Sequence, residues 1–310
     1  MKHIRLKKPF WILLGVLAVI IVLIVGIRQY NKYINSYKYK LREKGYTEVE
    51  IESIKDNEKI INLLLEKDYN KDLINLTKEK YYLDKNLDSY LKYKNENSNK
   101  SLTDVISIVN VGANNSWYDK AKATDLTKDT LILVNKFNYL TEDYEVEDLV
   151  DMSVMYAFSG KKIKAEVYEA FKSMSNAAKK EGLKVVANST FRTYEYQEKT
   201  YNSTKTSKGK TYADNYAARP GFSEHETGLA IDISTLNSTA DNFEDTEEFK
   251  WLQDHAHEYG FILRYPKDKE YITGYSYESW HYRYVGVDVA SQIKKENITF
   301  DEYYAYYLED

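Results

Sequence analysis

The apolar positions along this chain change period several times, and each change marks a different element. From Phe10 to Ile27 they run without a break for 18 residues. That lies near the lower end of the roughly 17–25 residues a helix needs to cross a bilayer. Trp11 and Tyr30 sit at the two ends of the run, where interfacial aromatics gather. Lys2, Arg5, Lys7 and Lys8 precede it. The basic flank predicts an N-terminus inside and residues after about 30 outside. No small-x-small cleavage site follows and no Cys is available for lipid attachment, so the expectation is an uncleaved anchor.

Between residues 31 and 100 the period is helical. Thr47-Glu48-Val49-Glu50 has capping-box form. Ile51, Ile54, Ile60, Ile61, Leu64 and Leu65 follow it, and Leu83, Leu87, Tyr90 and Leu91 repeat on one face of a second helix. This segment reads as a helical stalk or a small recognition domain. Asn95 to Ser101 is polar and aperiodic and reads as a linker.

Beyond it the pattern mixes helix and strand. Leu131-Ile132-Leu133-Val134 predicts a buried strand. Val167, Phe171, Met174 and Ala178 share a helical face that Gly182 ends, and Leu183 to Ala187 predicts a strand. Asp245 to Tyr259 predicts a helix with Phe249, Leu252, Ala256 and Tyr259 inward and Gly260 as its C′ residue. Tyr282 to Val285 predicts a last strand. The expected domains are 1–30 for flank and anchor, 31–100 for the helical segment and 101–310 for an α+β domain.

Composition narrows the chemistry. With no Cys in 310 residues, disulfides, thiolate metal sites and Cys nucleophiles are excluded, and any metal must sit on His and carboxylate. Removing the four positive charges of the flank from a net −4 leaves −8, which disfavours nucleic acid as a partner. The 31 Tyr suit a carbohydrate or glycopeptide partner, although a chain rich in Lys, Asn and Ile reaches such a count by composition alone.

Two of the five His occur in settings that suggest a catalytic metal. In Gly228 to Ile233, period-two alternation turns Leu229, Ile231 and Ile233 to a core and puts Asp232 on the other face beside the small Ala230. Gly228 permits a turn that brings His225 back toward Asp232. Taken singly, each residue is better read as a loop His or a solvent-facing Asp on an edge strand, since lone His and Asp are rarely ligands. Glu278 and His281 are three apart, so they share a site only through a turn or bulge. His281 would then be a third ligand and Glu278 a general base, with the fourth tetrahedral position left for water. The bland alternative is an exposed Glu and a packed Trp280-His281 pair. Arg192, in the loop Ser189 to Gln197, could pair with a substrate carboxylate or an oxyanion. His255 and His257 are two apart on a helix, cannot chelate together and read as surface residues. His3 belongs to the inside flank.

Ser223-x-His225-x-x-Gly228-x-Ala230-x-Asp232, then Glu278-x-Trp280-His281, preceded by Ser189-x-Phe191-Arg192 and Gln197, resembles the VanY-type zinc D-alanyl-D-alanine and L,D-carboxypeptidases. Ala218 to Phe222, Tyr259-Gly260-Phe261 and Tyr282 to Gly286 extend the resemblance, which covers roughly residues 125 to 290. It implies zinc on His225, Asp232 and His281, with Glu278 as catalytic base. It makes Arg192 the residue of the transition state and substrate carboxylate, with Gln197 and Ser223 lining the substrate site. It implies the small α+β fold of Hedgehog-like DD-peptidases, an antiparallel sheet flanked by helices. The partners it implies are peptidoglycan stem peptides, trimmed of a terminal D-alanine outside the cell membrane. An endopeptidase on the same scaffold and an inactive wall-binding or sensor module are the rival readings. Many relatives have Gln where this chain has Glu226 and Pro where it has Ser279.

Overall fold

The structure is a computed structural model that describes residues 8–238 and 240–309, without the side chains of 240 and 241. Lys2, His3, Arg5 and Lys7 of the basic flank lie outside the described residues. The chain divides into two compact units, Met1–Tyr82 and Leu83–Asp310.

The first unit is helical. α1 (Lys8–Ile34) contains the whole apolar run and buries none of its residues. Among the described residues it alone has the length and composition to cross a membrane. α2 (Tyr37–Lys44), α3 (Glu48–Ser53), α4 (Glu58–Glu66) and α5 (Leu73–Leu76) follow. The Thr47/Glu50 capping box forms as its sequence predicts, with both reciprocal bonds made. Ile51, Ile54, Ile60, Ile61 and Leu64 are buried with Leu41, Leu73 and Leu76.

The second unit opens with α6 (Leu87–Glu96) and α7 (Leu102–Asn110). The polar stretch read as a linker is a tight connection here, because Asn95 and Glu96 finish α6 while the Ser101 side chain caps α7. β1 (Lys122–Ala123) pairs in parallel with β2 (Asn138–Tyr139), and β3 (Leu149–Asp151) pairs antiparallel with β4 (Lys162–Lys164). α8 (Ala165–Lys180) leads to β5 (Val186–Ser189), then α9 (Tyr194–Lys208), α10 (Lys210–Tyr216) and β6 (Ala230–Ser234). α11 (Glu247–His255), β7 (Phe261–Leu263), α12 (Glu270–Thr273), β8 (His281–Tyr284), α13 (Val287–Glu296) and α14 (Phe300–Tyr307) complete it. The fold is α+β, and its central sheet has the antiparallel order β5-β6-β8-β7.

The two faces of that sheet have different tasks. Ile231, Ile233 and Tyr282 join Val167, Phe171, Met174 and Ala178 of α8, Leu252 and Ala256 in one buried cluster. The period-3.6 face of α8 and the period-2 face of β6 thus meet as their spacing predicts. Truncating a ring such as the fully buried Phe171 would cost about 3–5 kcal/mol. The opposite face holds Ala230, Asp232, His281 and Arg283, the register partners across β6 and β8.

Leu131 to Val134 is not a strand. Leu131 ends a 3₁₀ turn and the next three residues, though buried, have no ladder. Side chains satisfy two of their carbonyls instead: Arg283 Nη2 donates to Ile132 O and Thr124 Oγ1 to Leu133 O. An apolar run of four has no period that distinguishes these outcomes. The predicted strands at 183–187 and 282–285 form with bounds shifted to 186–189 and 281–284. The predicted helix at 245–259 is α11 plus a 3₁₀ turn over Ala256–Tyr259, closed by Gly260 in the left-handed region.

Candidate metal centre and active site

Register brings the site together. Asp232 on β6 lies directly opposite His281 on β8, so their side chains leave the same face. On the other side a register shift between Ala187 and Ser189 places Ser189 opposite Asp232. Ser189, Asp232 and His281 therefore form a row across three strands. His225 arrives from the 3₁₀ turn Glu224–Thr227, which ends at Gly228 with φ 69°. A Cβ there would be strained by that φ and would lie 3.0 Å from Lys164 Cγ and 3.1 Å from Val146 Cγ1, so the turn requires glycine. The turn is tied to the loop after β5 in both directions. His225 Nδ1 lies 2.8 Å from Thr190 O, and Arg192 N donates to His225 O.

Donor atoms of His225, Asp232 and His281 lie within 4.8 Å of one another, and all three residues are buried. His225 Nε2 is 3.3 Å and His281 Nδ1 is 3.1 Å from the same oxygen, Asp232 Oδ1. A tetrahedral zinc with N and O bonds of about 2.0–2.1 Å has donor–donor edges of about 3.3 Å. The spacing therefore fits one such ion. Each ring also has its second nitrogen engaged outward, His225 Nδ1 with Thr190 O and His281 Nε2 with Glu224 Oε2 at 3.4 Å. Outward bonds of this kind select the tautomer that offers the inner nitrogen to a metal.

The charges around the trio follow from burial and pairing. Desolvation and the nearby Arg192 push His225 down to about 4, so it is neutral and ready to coordinate. Burial opposes charge on His281 too, but hydrogen bonds to Asp232 and Glu224 outweigh it and raise it to about 9. Asp232 is held well below the usual carboxylate range, because the two imidazoles overcome its desolvation. Its Oδ2 accepts from Arg192 Nη2 at 3.1 Å, which leaves Oδ1 to the imidazoles.

Glu278 closes the site through the turn that its spacing from His281 demands: His281 N donates to Glu278 O. Its Oε2 lies 3.7 Å from His281 Nδ1. Burial raises this carboxyl to about 7, with Asp232 and Glu224 adding repulsion against the attraction of His281 and Arg192. Arg192 is clamped by Ser189 Oγ, Gln197 Oε1 and Asp232. Gln197 is in turn fixed by its bond to Ala218 O at 2.8 Å. Arg192, Gln197, Ser223 and Glu278 all border one cleft of about 190 Å³ that also reaches the metal trio. The structure thus brings together every site residue named from the sequence.

Glu226 stands apart from the trio. Its carboxylate accepts from Gly221 N at 2.9 Å, and burial raises it to about 7. It borders a second, acidic cleft rather than the metal. His255 and His257 are partly exposed; the His255 side chain, 39% exposed, stacks on Trp251 at 4.8 Å.

Sequence reasoning missed a buried ionic array behind His281. Glu224, Arg264, Arg283 and Asp301 are each at most 2% exposed. The signal was present, since Arg264 and Arg283 each follow apolar or aromatic residues in sheet segments, and a cation in such a segment requires an internal partner.

The fold and the site define a class: α+β proteins whose sheet presents a His–Asp–His donor set beside a buried carboxyl group, as in metallopeptidases. The VanY family profile (D-alanyl-D-alanine carboxypeptidase) matches residues 160–287. The Bacillus subtilis protein YodJ is 44% identical over 181 residues, covering 56% of this chain and 66% of YodJ. A D-alanyl-D-alanine carboxypeptidase of Enterococcus faecalis is 36% identical over 188 residues, 56% of this chain and 65% of that protein. The match thus spans just under two thirds of these curated relatives. The solved LdcB LD-carboxypeptidase superposes with a TM-score of 0.57 at 41% identity, over 61% of this chain and 91% of LdcB. A VanY D,D-pentapeptidase solved in complex with Zn(II) gives 0.50 at 34% identity, over 56% of this chain and 98% of that one. The chain belongs to the VanY D-alanyl-D-alanine carboxypeptidase family.

Proposed function

We propose that this protein is a membrane-anchored zinc carboxypeptidase that removes the terminal D-alanine from peptidoglycan stem peptides outside the cell. The observation that carries the proposal is the convergence of His225, Asp232 and His281 on one point, with Glu278 beside it in an open cleft. The cofactor is zinc, held by His225 Nε2, Asp232 Oδ1 and His281 Nδ1. Bound there, zinc polarises a carbonyl and brings the pKa of water down to about 7.

The chain's own residues supply the rest. Glu278 takes a proton from the attacking water as its oxygen bonds to the scissile carbonyl carbon. It then delivers that proton to the amide nitrogen as the C–N bond breaks, so D-alanine leaves as a free amine. A carboxyl raised to about 7 is suited to both transfers at neutral pH. Arg192, immobilised by three partners, borders the cleft and meets the substrate carboxylate or the oxyanion at little cost in ordering. Gln197 and Ser223 border the same cleft and orient the peptide. α1 anchors the chain, with the catalytic residues outside; of residues 31–100, read as a stalk or recognition segment, 31–82 belong to the first unit and 83–100 to the second.

Glu278→Gln tests the division of labour. The variant is expected to bind zinc as wild type does, by elemental analysis, yet release D-alanine at least about 100-fold more slowly. Full turnover in the variant would remove Glu278 from the mechanism.

A further inference from the structure

Glu224 and His225 are neighbours in one 3₁₀ turn but serve opposite sides of the site. The Glu224 side chain is fully buried and lies behind His281, with Oε2 3.4 Å from His281 Nε2. Its other oxygen, Oε1, accepts from Arg264 Nε at 2.7 Å and from Arg283 Nη1 at 2.9 Å. Both guanidinium groups are fully buried and pinned in turn. Arg264 binds Asp301 on α14, and Arg283 Nη2 donates to the carbonyls of Thr130 and Ile132. Asn135 Nδ2 completes the array on Asp301 Oδ1 at 2.8 Å.

Two carboxylates and two guanidinium groups taken out of water form a costly core. Apolar residues of similar volume often replace such an array at no loss of stability. What the array does provide is a fixed, ionised oxygen at one place. The arginines use Oε1, and Oε2 is left for the imidazole. The two His ligands therefore differ behind the metal: a neutral backbone carbonyl, Thr190 O, meets His225, and a carboxylate meets His281.

We propose that Glu224 is a positioning residue of the metal centre. It accepts the Nε2–H of His281 and so, once metal binding displaces the proton that Nδ1 shares with Asp232, would hold the ring in the tautomer whose Nδ1 lone pair faces the metal position. A carboxylate in this position also makes the ring a stronger donor than one backed by a carbonyl. Arg264 and Arg283 keep the carboxylate ionised and immobile. The assignment rests on the zinc reading above.

The test uses the full chain. Zinc affinity is measured by competition with a chromophoric chelator, the visible spectrum is recorded on the cobalt-substituted protein, and the melting temperature is taken without metal. Glu224→Gln is expected to bind zinc about 10- to 100-fold more weakly, with an altered cobalt spectrum. Asp301→Asn removes a carboxylate from the same array without touching His281. It is expected to lower the melting temperature while keeping zinc affinity and the cobalt spectrum close to wild type. Unchanged affinity and spectrum in Glu224→Gln, or an equal loss in both variants, would overturn the assignment. Should Glu224→Gln not fold, Glu224→Asp keeps the charge for the arginines but withdraws the oxygen from His281. It is expected to show the same loss of metal affinity, and wild-type affinity in it overturns the assignment. A wild-type protein that takes up no zinc would overturn the zinc reading and this assignment with it. Wild-type uptake matched by the variants overturns this assignment alone.

Discussion

Asp232 divides its two oxygens between different tasks, and much of the site follows from that division. Oδ2 holds Arg192 and Oδ1 faces both imidazoles, so one side chain joins the Arg192 guanidinium to the candidate metal position. The charge at Glu226 follows a different logic. Burial raises this carboxyl to about 7, so the folded state keeps a proton that the unfolded chain loses near the ordinary 4.5. Between those two values the folded state binds more protons, and stability falls as pH rises. Glu226→Gln removes that penalty and still lets the amide oxygen accept from Gly221 N. Its melting temperature should match wild type near pH 4 and exceed it increasingly up to pH 8, by the equivalent of about 3 kcal/mol. A difference that does not vary with pH would refute the assignment of the shift to this residue. His255 shows a contact local to one helix: its ring stacks on Trp251, four residues earlier.

At the scale of elements, the turn at Gly228 sets His225 against β6. Gly228→Ala forces a Cβ into the left-handed region against Lys164, Val146 and Leu149. It should lower stability by about 1–2 kcal/mol in denaturant unfolding and weaken zinc binding, because the turn that carries His225 must move. Loss of stability with wild-type zinc affinity would show that the turn does not position the ligand. The elements themselves were unevenly legible. Alternation in Leu229 to Ile233 and the helical face of Val167 to Ala178 are strong periodic signals, and both formed as read. Glu278 and His281 can share a site only through a turn, since a straight strand sends those residues to opposite faces. Leu131 to Val134 had no period to read, and its backbone found partners in Arg283 and Thr124, residues distant or unmarked in sequence. The Glu224 array was hidden for a related reason. Its members are spread from Glu224 to Asp301, and only the fold makes them neighbours.

In the molecule as a whole, a helix that buries nothing precedes a unit that buries a His–Asp–His trio able to hold a metal ion. Full-length protein expressed in a bacterium with an accessible cell surface should sediment with membranes and resist salt extraction. External protease should reach the catalytic unit in intact cells. Protection of that unit from the protease would contradict the proposed orientation. The proposed reaction is open to direct measurement. It is tested most directly by incubating zinc-loaded full chain with purified muropeptides and resolving the products by mass spectrometry. The expected products are stem peptides shortened by one D-alanine and free D-alanine in equal amount, with none once zinc is chelated. Cross-links cut without D-alanine release, or muropeptides bound and returned intact, would contradict it.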